Sequence, residues 1–426
     1  MCALFDAAFF SDLMIQCIRA QAFFTTTYSF RFANMTVNVR RHIVVALLAA
    51  VGVLVIAGAL ASPPPKRRSY DVLVIDHASA PILSSSNAKG KGNSDGCLIF
   101  NPSVLLPSST FNDTGLLVRE CCGETCAGHG RRRRRADAGV HAERISFARC
   151  NLDTAVCEDA MQSFNLDPEA DAEDPRAIYS PFDGFYYLFY YRSPAASGSD
   201  CEGDQCTVQL SRTKTPLNVS SWDRVATLPW HRNGCCHIRK KGQMSVCMWG
   251  EGPGPFPGLG ISTTQDFSSG NFTQVPWKLS EDVSNASSPV SADSMWLLPL
   301  GPNREEIKLE AGTHMHELST GDLITFYAAA TPGWVAHGNY TVGWIILSGT
   351  DNTRIVQRST SHLLVPTFDY ETLCPGKAEC KYKGERHNVI FLSSAVATGK
   401  GDDSFRLFFG AGDGNVGTAV VHVGIL

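Results

Sequence analysis

The segment best suited to chemistry is Glu173-Asp174-Pro175-Arg176, which lies shortly before a strongly aromatic run at 185–192. Proline restricts the backbone of the residue before it, so we expect Asp174 to be extended and its carboxylate to point in one fixed direction. In an extended chain Arg176 then lies on the same side as Asp174. The segment is therefore either part of a site for a polar substrate or a turn closed by an ion pair.

Three further carboxylates stand near the ends of apolar or aromatic runs. Glu310 lies in the segment 308–314, Glu371 follows Asp369-Tyr370, and Asp413 follows a Phe-Phe-Gly-Ala-Gly run. Burying an isolated carboxylate is costly unless it has a partner or a polar ligand. Carboxylates set among Trp and Tyr favour carbohydrate, because aromatic faces stack on sugar rings and carboxylates bond hydroxyls or supply acid/base catalysis.

The sequence lacks the motifs of several other chemistries. It has no G-x-S-x-G turn, no P-loop, no H-E-x-x-H motif and no dinucleotide fingerprint after a strand. Cys122-x3-Cys126 has no second Cys or His pair at metal spacing, so we predict no metal and no cofactor. A formal net charge of −4 gives no basic field that would attract nucleic acid. The basic cluster at 231–241 is interpreted as a solvated loop or an anion site.

The elements that must position these residues are short β-runs separated by Gly, Asp, Asn and Pro. The sequence contains no convincing amphipathic helix longer than three turns. Such a chain predicts an all-β propeller or a large sandwich. The absence of a tight sequence repeat argues against a propeller of the tryptophan–aspartate type. The runs span 115–120, 185–192, 207–212, 323–329, 341–348, 388–394, 405–412 and 418–425.

The N-terminal part contains an uncharged apolar run of nineteen residues at 43–61. As a helix it would be about 28 Å long, close to the thickness of a bilayer core. We interpret it as a transmembrane signal-anchor; the alternative is a cleaved signal peptide of a chain that starts at Met35. The Pro/Ser/Gly-rich segment that follows is predicted to be a flexible stem, with Tyr70–Ile75 as a candidate short strand. The predicted organisation is a tail at 1–41, the membrane segment at 42–62, the stem at 63–95 and the catalytic domain at 96–426.

Two features place the chain beyond the apolar run in a secretory lumen or outside the cell. Thirteen of the fifteen cysteines lie there, and neighbouring pairs such as Cys235/Cys236 are interpreted as loop disulfides of an oxidising compartment. Five glycosylation sequons lie there too. The five arginines at 131–135 are interpreted as a solvated loop, a processing site or a polyanion site. The sequons are at Asn112, Asn218, Asn271, Asn285 and Asn339.

Taken in order, these segments resemble glycoside hydrolase family 130, five-bladed β-propeller enzymes that act on β-mannosides. The resemblance runs from about Phe100 to Val423. Each matching motif is short, and it is their common order that makes them specific. They are Phe100-Asn101-Pro102, the strand ending in Arg119, Glu173 to Arg176 with Asp183-Gly184, Glu310-Ala311-Gly312, Tyr340 to Trp344 with 355–358 and Pro366, Tyr370-Glu371, Asn388 to Phe391, and Phe409 to Asp413 with 417–419.

The resemblance implies an inverting reaction in the central funnel of the propeller, on an oligosaccharide or glycan. Asp174 matches the acid that protonates the glycosidic oxygen. Glu371 and Glu310, in that order, are the candidates for a base that activates water. The residues expected to hold the sugar or its acceptor are Asn101, Arg119, Arg176, Tyr327, Asn388 and Asp413.

The resemblance leaves three alternatives to hydrolysis. One is phosphorolysis, in which inorganic phosphate replaces water and only one catalytic carboxylate is needed. The others are mannosyl transfer and a carbohydrate-binding propeller without activity. Glu310 stands where many family members have glycine, and this added carboxylate favours hydrolysis. An anchored enzyme of the Golgi, the endoplasmic reticulum or the cell surface fits this layout.

Overall fold

We analysed a computed structural model of the 426-residue chain. It describes residues 68–84, 97–122, 143–194, 207–250, 258–279, 297–298, 306–332, 339–374 and 382–426, except for positions 165, 168–169, 231, 383, 385 and 400–401 within these ranges.

The described chain is almost entirely β-structure. One short helix, α1 (Asp369–Thr372), and two 3₁₀ turns, Val219–Ser221 and Phe267–Ser269, interrupt it. The strands are β1 (Tyr70–His77), β2 (Leu83–Ser84), β3 (Leu98–Leu105), β4 (Gly115–Cys121), β5 (Glu143–Asn151), β6 (Val156–Phe164), β7 (Ala170–Ser180), β8 (Phe185–Pro194), β9 (Thr207–Thr213), β10 (Asp223–Leu228), β11 (Arg232–His237), β12 (Ser245–Gly250), β13 (Leu259–Thr264), β14 (Thr273–Val275), β15 (Lys278–Leu279), β16 (Leu297–Leu298), β17 (Lys308–Ala311), β18 (His316–Glu317), β19 (Leu323–Thr331), β20 (Asn339–Leu347), β21 (Arg354–Arg358), β22 (Ile390–Ala397), β23 (Ser404–Ala411) and β24 (Asn415–Ile425).

These strands form five sheets, the blades of a β-propeller. Blade 1 is β3–β6, blade 2 is β7–β10, and blade 3 is β11–β14 with β16. Blade 4 combines β17–β21 with β15, and blade 5 combines β22–β24 with β1 and β2. The first strand of each blade lies innermost around the axis; these strands are β3, β7, β11, β17 and β22. The predicted all-β five-bladed propeller is therefore confirmed.

Each interface between successive blades has its own hydrophobic cluster, and this accounts for the closed ring. Tyr186 and Leu117 meet between blades 2 and 1, for example, and Ile99 meets Phe408 between blades 1 and 5. Because blades are covered on both faces, β3 and β12 are buried along their whole length instead of alternating between core and solvent. This explains the near-continuous apolar runs in the sequence.

The ring is closed by β1, which pairs antiparallel with β24 from Tyr70↔Ile425 to His77↔Ala419. Tyr70 and Val72 pack into the cluster between blades 4 and 5. The Tyr70 backbone N–H also donates to the Gln357 side chain of blade 4 at 2.8 Å. The propeller thus begins at Arg68 and not at the predicted boundary of 96, because residues assigned to the stem form the outer strand of blade 5.

Each disulfide whose two cysteines the structure describes lies within one blade and does not join directly adjacent cysteines. Cys121 and Cys122 do not bond to each other, because Cys122 bonds to Cys97. Cys236 bonds to Cys247 on the facing strand, which leaves Cys235 as a buried free thiol. A third bond links Cys150 to Cys157, and Cys121 and Cys374 are also disulfide-bonded. The expected disulfide between Cys235 and Cys236 is therefore wrong, since neighbours on a strand point to opposite faces.

Within the described residues, no helix has the length and apolarity needed to cross a membrane. The predicted tail and membrane segment lie outside these residues, as do Arg131–Arg135 and the sequon at Asn285.

Candidate active site

The innermost strands of blades 1, 2 and 3 each bulge at a polar residue. Asn101, Asp174 and Asn233 have left-handed backbones with φ of 49°, 50° and 53°. The pairing register shifts at each of them, so the side chain no longer follows the alternation between the two faces of the sheet. Asn and Asp tolerate this conformation better than other residues that carry a side chain. The extended geometry predicted for Asp174 is therefore wrong, because the bulge overrides the preference of a residue that precedes proline.

Asp174 is buried and lies within a set of hydrogen-bond donors. Its Oδ1 accepts from Asn101 Nδ2 at 2.7 Å and from Arg119 Nη1 at 3.0 Å, and Arg232 Nη1 lies 3.3 Å from Oδ2. Burial alone would raise the pKa of Asp174, but Arg119, Arg232, Arg176 and the Asn101 hydrogen bond together hold it well below its usual range. The predicted residues Asn101, Arg119 and Asp174 are thus brought together.

Gly410 of blade 5 makes room for this arrangement. A side chain there would place its Cβ 2.2 Å from Asn101 Oδ1, so only glycine lets the Asn101 amide lie against β23 while it donates to Asp174.

Arg119 and Arg232 link Asp174 to further carboxylates. Arg119 Nη2 lies 2.5 Å from Glu143 Oε2 and 2.9 Å from Glu173 Oε2. Arg232 Nη1 lies 3.4 Å from Glu173 Oε2, and its guanidinium lies 4.2 Å from the centre of the Tyr191 ring. The arginines are therefore held in fixed positions by ion pairs and aromatic faces.

Glu310, on the innermost strand of blade 4, forms a second buried centre. Its Oε2 accepts from Asn233 Nδ2 at 3.1 Å; its Oε1 accepts from the Tyr340 hydroxyl at 3.2 Å and lies 2.6 Å from Lys308 Nζ. Burial would raise the pKa of Glu310, but Lys308 and Arg232 lower it, so the carboxylate is ionised at neutral pH. Asp174 and Glu310 act on each other electrostatically and both act on Arg232, so they belong to one site.

Asn388 and Asp413 are connected to Tyr340, a partner of Glu310, through a backbone hydrogen bond and through Arg386. Both have left-handed backbones, with φ of 59° and 45°. The Asn388 carbonyl accepts from the Tyr340 N–H at 3.0 Å, and Asp413 pairs with Arg386 at 3.2 Å. Arg386 in turn lies near enough to the Tyr340 hydroxyl to act on its pKa.

Three predicted site residues have other surroundings. Both Glu371 oxygens are used locally: Oε1 lies 2.6 Å from His77 Nε2, and Oε2 accepts from the backbone amides of residues 367 and 368 at the start of α1. Tyr327 is buried in blade 4, where its hydroxyl contacts Glu306 and Arg358. Arg176 is fully buried, and the bulge separates it from the Asp174 hydrogen bonds.

Four residues of the site were not predicted: Arg232, Asn233, Tyr340 and Lys308. Asn233-Gly234 has a recognisable signal, since it occupies in blade 3 the position of Asn101-Pro102 in blade 1. Together, these donor–carboxylate pairs can orient sugar hydroxyls and hold two ionised carboxylates for proton transfer. Among the described residues, one set of metal-type side chains is close enough for an ion, Cys97, Glu120 and Cys122, and its two sulfurs are already bonded to each other.

Glu143 is a carboxyl group of this site whose pKa is raised into the neutral range. Burial, Glu173, Asp171 and Asp174 raise its pKa from 4.5 to about 8, against the opposing effect of Arg119. Because the unfolded chain releases this proton near 4.5, the stability that Glu143 contributes is complete below that pH and is lost as pH rises through about 8. We expect the melting temperature of Glu143→Gln, relative to the wild type, to rise as pH increases from 5 to 9.

Thermal unfolding of both proteins across this range measures the effect. Glu158→Gln, at an exposed residue 3.8 Å from Arg149, is the control and should keep a constant difference from the wild type. A difference that is also constant for Glu143→Gln would show that Glu143 titrates normally.

The fold and this cluster define a five-bladed β-propeller with a polar site of paired carboxylates and arginines. No family model matches the chain, and no curated protein matches it. Among solved structures, the chain is similar to a member of the GH130 family of mannoside phosphorylases. That family is described as containing glycoside hydrolases that target β-1,2-mannosidic linkages in Candida mannan. The TM-score is 0.53 and the sequence identity is 16%, and the match covers 84% of this chain and 95% of that one.

Two bacterial structures match in the same way. A candidate glycoside hydrolase from Parabacteroides distasonis has a TM-score of 0.51 at 14% identity, covering 84% of this chain and 95% of its own. A glycosyl hydrolase from Bacteroides ovatus has a TM-score of 0.51 at 16% identity, covering 76% and 83%. The chain shares the propeller fold of these proteins.

Proposed function

We propose that this protein is a glycoside hydrolase that cleaves β-mannoside-type linkages with inversion. The observation that carries the proposal is the pair of buried carboxylates, Asp174 and Glu310, each held by an asparagine amide and a cation around the shared Arg232. The fold shared with the GH130 structure and the sequence resemblance support the choice of sugar.

In the proposed reaction, Glu310 takes a proton from water as the water oxygen bonds to the anomeric carbon, and the bond from that carbon to the leaving oxygen breaks on the opposite face. Asp174 supplies the proton that the leaving oxygen receives. Because Arg119, Arg232 and Arg176 keep Asp174 ionised in the free site, substrate must weaken its ion pair with Arg119 or Arg232, so that Asp174 takes up a proton from solvent before it acts as the acid. We expect Arg232 to be the arginine that moves away from Asp174, because it is half-buried and its contacts to Asp174 and Glu173 are the longest of the cluster.

Glu310 is preferred to Glu371 as the base. Its contacts are side-chain donors that leave the carboxylate ionised beside Asp174, whereas Glu371 bonds His77 and the amides of a helix end. An inverting pair also requires space for water, roughly 6.5–9.5 Å between carboxyl groups.

Phosphorolysis is the second candidate, favoured by the convergence of Arg119, Arg232 and Lys308. Each of these cations is already paired with a carboxylate, however, so a phosphate would compete with Asp174, Glu173 or Glu310 for them. We therefore rank hydrolysis first.

Product analysis separates these reactions. The purified protein is incubated with β-linked mannobioses, with and without inorganic phosphate and a mannose sugar nucleotide. We expect free mannose at a rate that is independent of phosphate. Mannose 1-phosphate formed only with phosphate would establish phosphorolysis, transfer to an acceptor would establish a transferase, and glycan binding without any product would establish a binding protein.

We also propose that the protein works in an oxidising compartment, in the secretory lumen or outside the cell. The support is the set of cross-strand disulfides, which are rare in a reducing cytosol. N-glycosylation fits the same compartment, since Asn112, Asn218 and Asn271 are exposed.

A further inference from the structure

Arg176 lies on the axis of the propeller. It comes from the innermost strand of blade 2, yet its guanidinium lies 5.8 Å from the centre of the Phe391 ring in blade 5. It also acts on the Cys235 thiol in blade 3 and on His314, just after β17 in blade 4. A side chain that reaches the inner segments of three other blades from its own blade must lie at the centre of the ring.

The guanidinium of Arg176 is fully buried and poorly satisfied. Nη1 donates to the Pro175 carbonyl at 2.9 Å, but Nε and Nη2 have no hydrogen-bond partner among the described residues. The nearby Asp174 carboxylate supplies none, because its hydrogen bonds and ion pairs go to Asn101, Arg119 and Arg232. A buried charge without a hydrogen-bonded counter-charge is strongly unfavourable, so this position favours a negatively charged ligand.

The groups that surround Arg176 are donors as well. The Cys236 N–H donates to His314 Nδ1 at 2.9 Å, so the neutral ring carries its proton on Nε2. Burial, with His316 and Arg176, lowers the pKa of His314 to about 3 and keeps the ring neutral. The Ala177 carbonyl lies beside the ring without completing a hydrogen bond to Nε2. Cys235 is a thiol, because burial raises its pKa to about 12.

We propose that Arg176, with His314 and Cys235, binds a small monovalent inorganic anion such as chloride on the propeller axis. Nitrogen and sulfur donors gathered around a buried positive charge are the chemistry of an anion site. One negative charge balances the guanidinium, whereas a dianion would leave an excess negative charge beside Asp174. The anion site does not include either member of the proposed catalytic pair and does not require that the protein be a hydrolase.

The direct test is crystallography of the wild-type protein grown in sodium bromide. We expect an anomalous bromide peak within hydrogen-bonding distance of Arg176 Nε or Nη2. Density there without an anomalous signal would identify water and overturn the proposal.

The second test is thermal unfolding in sodium chloride against sodium gluconate at constant ionic strength. Because a ligand that binds only the folded state stabilises it, the melting temperature should rise by about 2 °C for each tenfold increase in chloride above the dissociation constant. Arg176→Met, which keeps an unbranched apolar stem but removes the charge, should abolish this dependence.

Arg406→Met is the matched control, since Arg406 donates to the Asp153 carbonyl and contacts none of the axial residues. It should keep the full chloride dependence. The proposal would be overturned if the melting temperature of the wild type did not change with chloride concentration, or if that of Arg176→Met rose as much as that of the wild type. If Arg176→Met does not fold, the wild-type bromide and chloride measurements still decide it.

Discussion

Replacing Asp174 with asparagine is expected to lower kcat on a β-linked mannobiose by about 10²–10⁴-fold, the usual contribution of a general acid. The same variant should retain most of its activity toward an aryl mannoside with a good leaving group. Such a leaving group departs without protonation, so it does not need the proton that Asp174 supplies. Parallel kinetics with the two substrates measure the effect.

The control is Asp113→Asn, which removes a carboxylate whose exposed ion pair with Arg149 is 3.0 Å long. It should behave like the wild type on both substrates. Equal losses on both substrates for Asp174→Asn would mean that Asp174 binds the sugar instead of protonating it, and full activity would remove it from the mechanism.

Glu310→Gln is expected to lower kcat on both substrates by about 10²–10⁴-fold, because water must be activated whatever the leaving group. The amide keeps the size of the side chain and its bonds to Asn233 and Tyr340 in part, so the fold should survive. Azide, a nucleophile that needs no base, should restore turnover of the activated mannoside and give a glycosyl azide of inverted configuration. Product configuration by NMR measures this.

Two control variants test whether the base is Glu310 and not another glutamate. Glu317→Gln changes an exposed residue at the end of β18 and should have no effect. Glu371→Gln should lower the melting temperature, because it weakens the contacts to His77 and to the start of α1, while kcat stays within tenfold of the wild type. A loss of kcat restored by azide in Glu371→Gln but not in Glu310→Gln would reverse the assignment.

The sequence predicted the part of the site that is encoded by short contiguous motifs. The Asp174 segment, with proline fixing one bond and an aromatic strand behind it, was recognisable, and Asn101 and Arg119 followed from the same resemblance. Their convergence depends on bulges at Asn101 and Asp174, which are set by pairing between strands and leave little trace in one segment alone.

The site residues that were predicted wrongly lie on strands where the sequence does not show which way each side chain faces. Tyr327 and Tyr340 lie on paired strands of blade 4, but one hydroxyl faces Arg358 in the core and the other faces Glu310. Only the three-dimensional register distinguishes them. Arg232 and Asn233 were missed because the surrounding cysteines drew the interpretation toward a loop, although the segment is an innermost strand.

The N-terminal boundary illustrates the limit of composition as a guide. A segment rich in Pro, Ser and Gly was interpreted as a stem, yet Tyr70–His77 is a strand whose partner, β24, lies at the far end of the chain. A strand paired over such a sequence distance has no local signature beyond its own short apolar pattern.

The pairing of β1 with β24 has a consequence for biosynthesis. Tyr70 leaves the ribosome long before Ile425, its partner, so the last blade cannot assemble during most of translation. Contacts of this kind carry a large loop-closure cost and make folding slow. Until then β1 presents an open edge with three adjacent apolar side chains that remain at least 38% accessible even in the finished ring, Leu73, Val74 and Ile75. We expect a nascent chain of this design to fold more efficiently when a chaperone covers its first strand until its last one emerges.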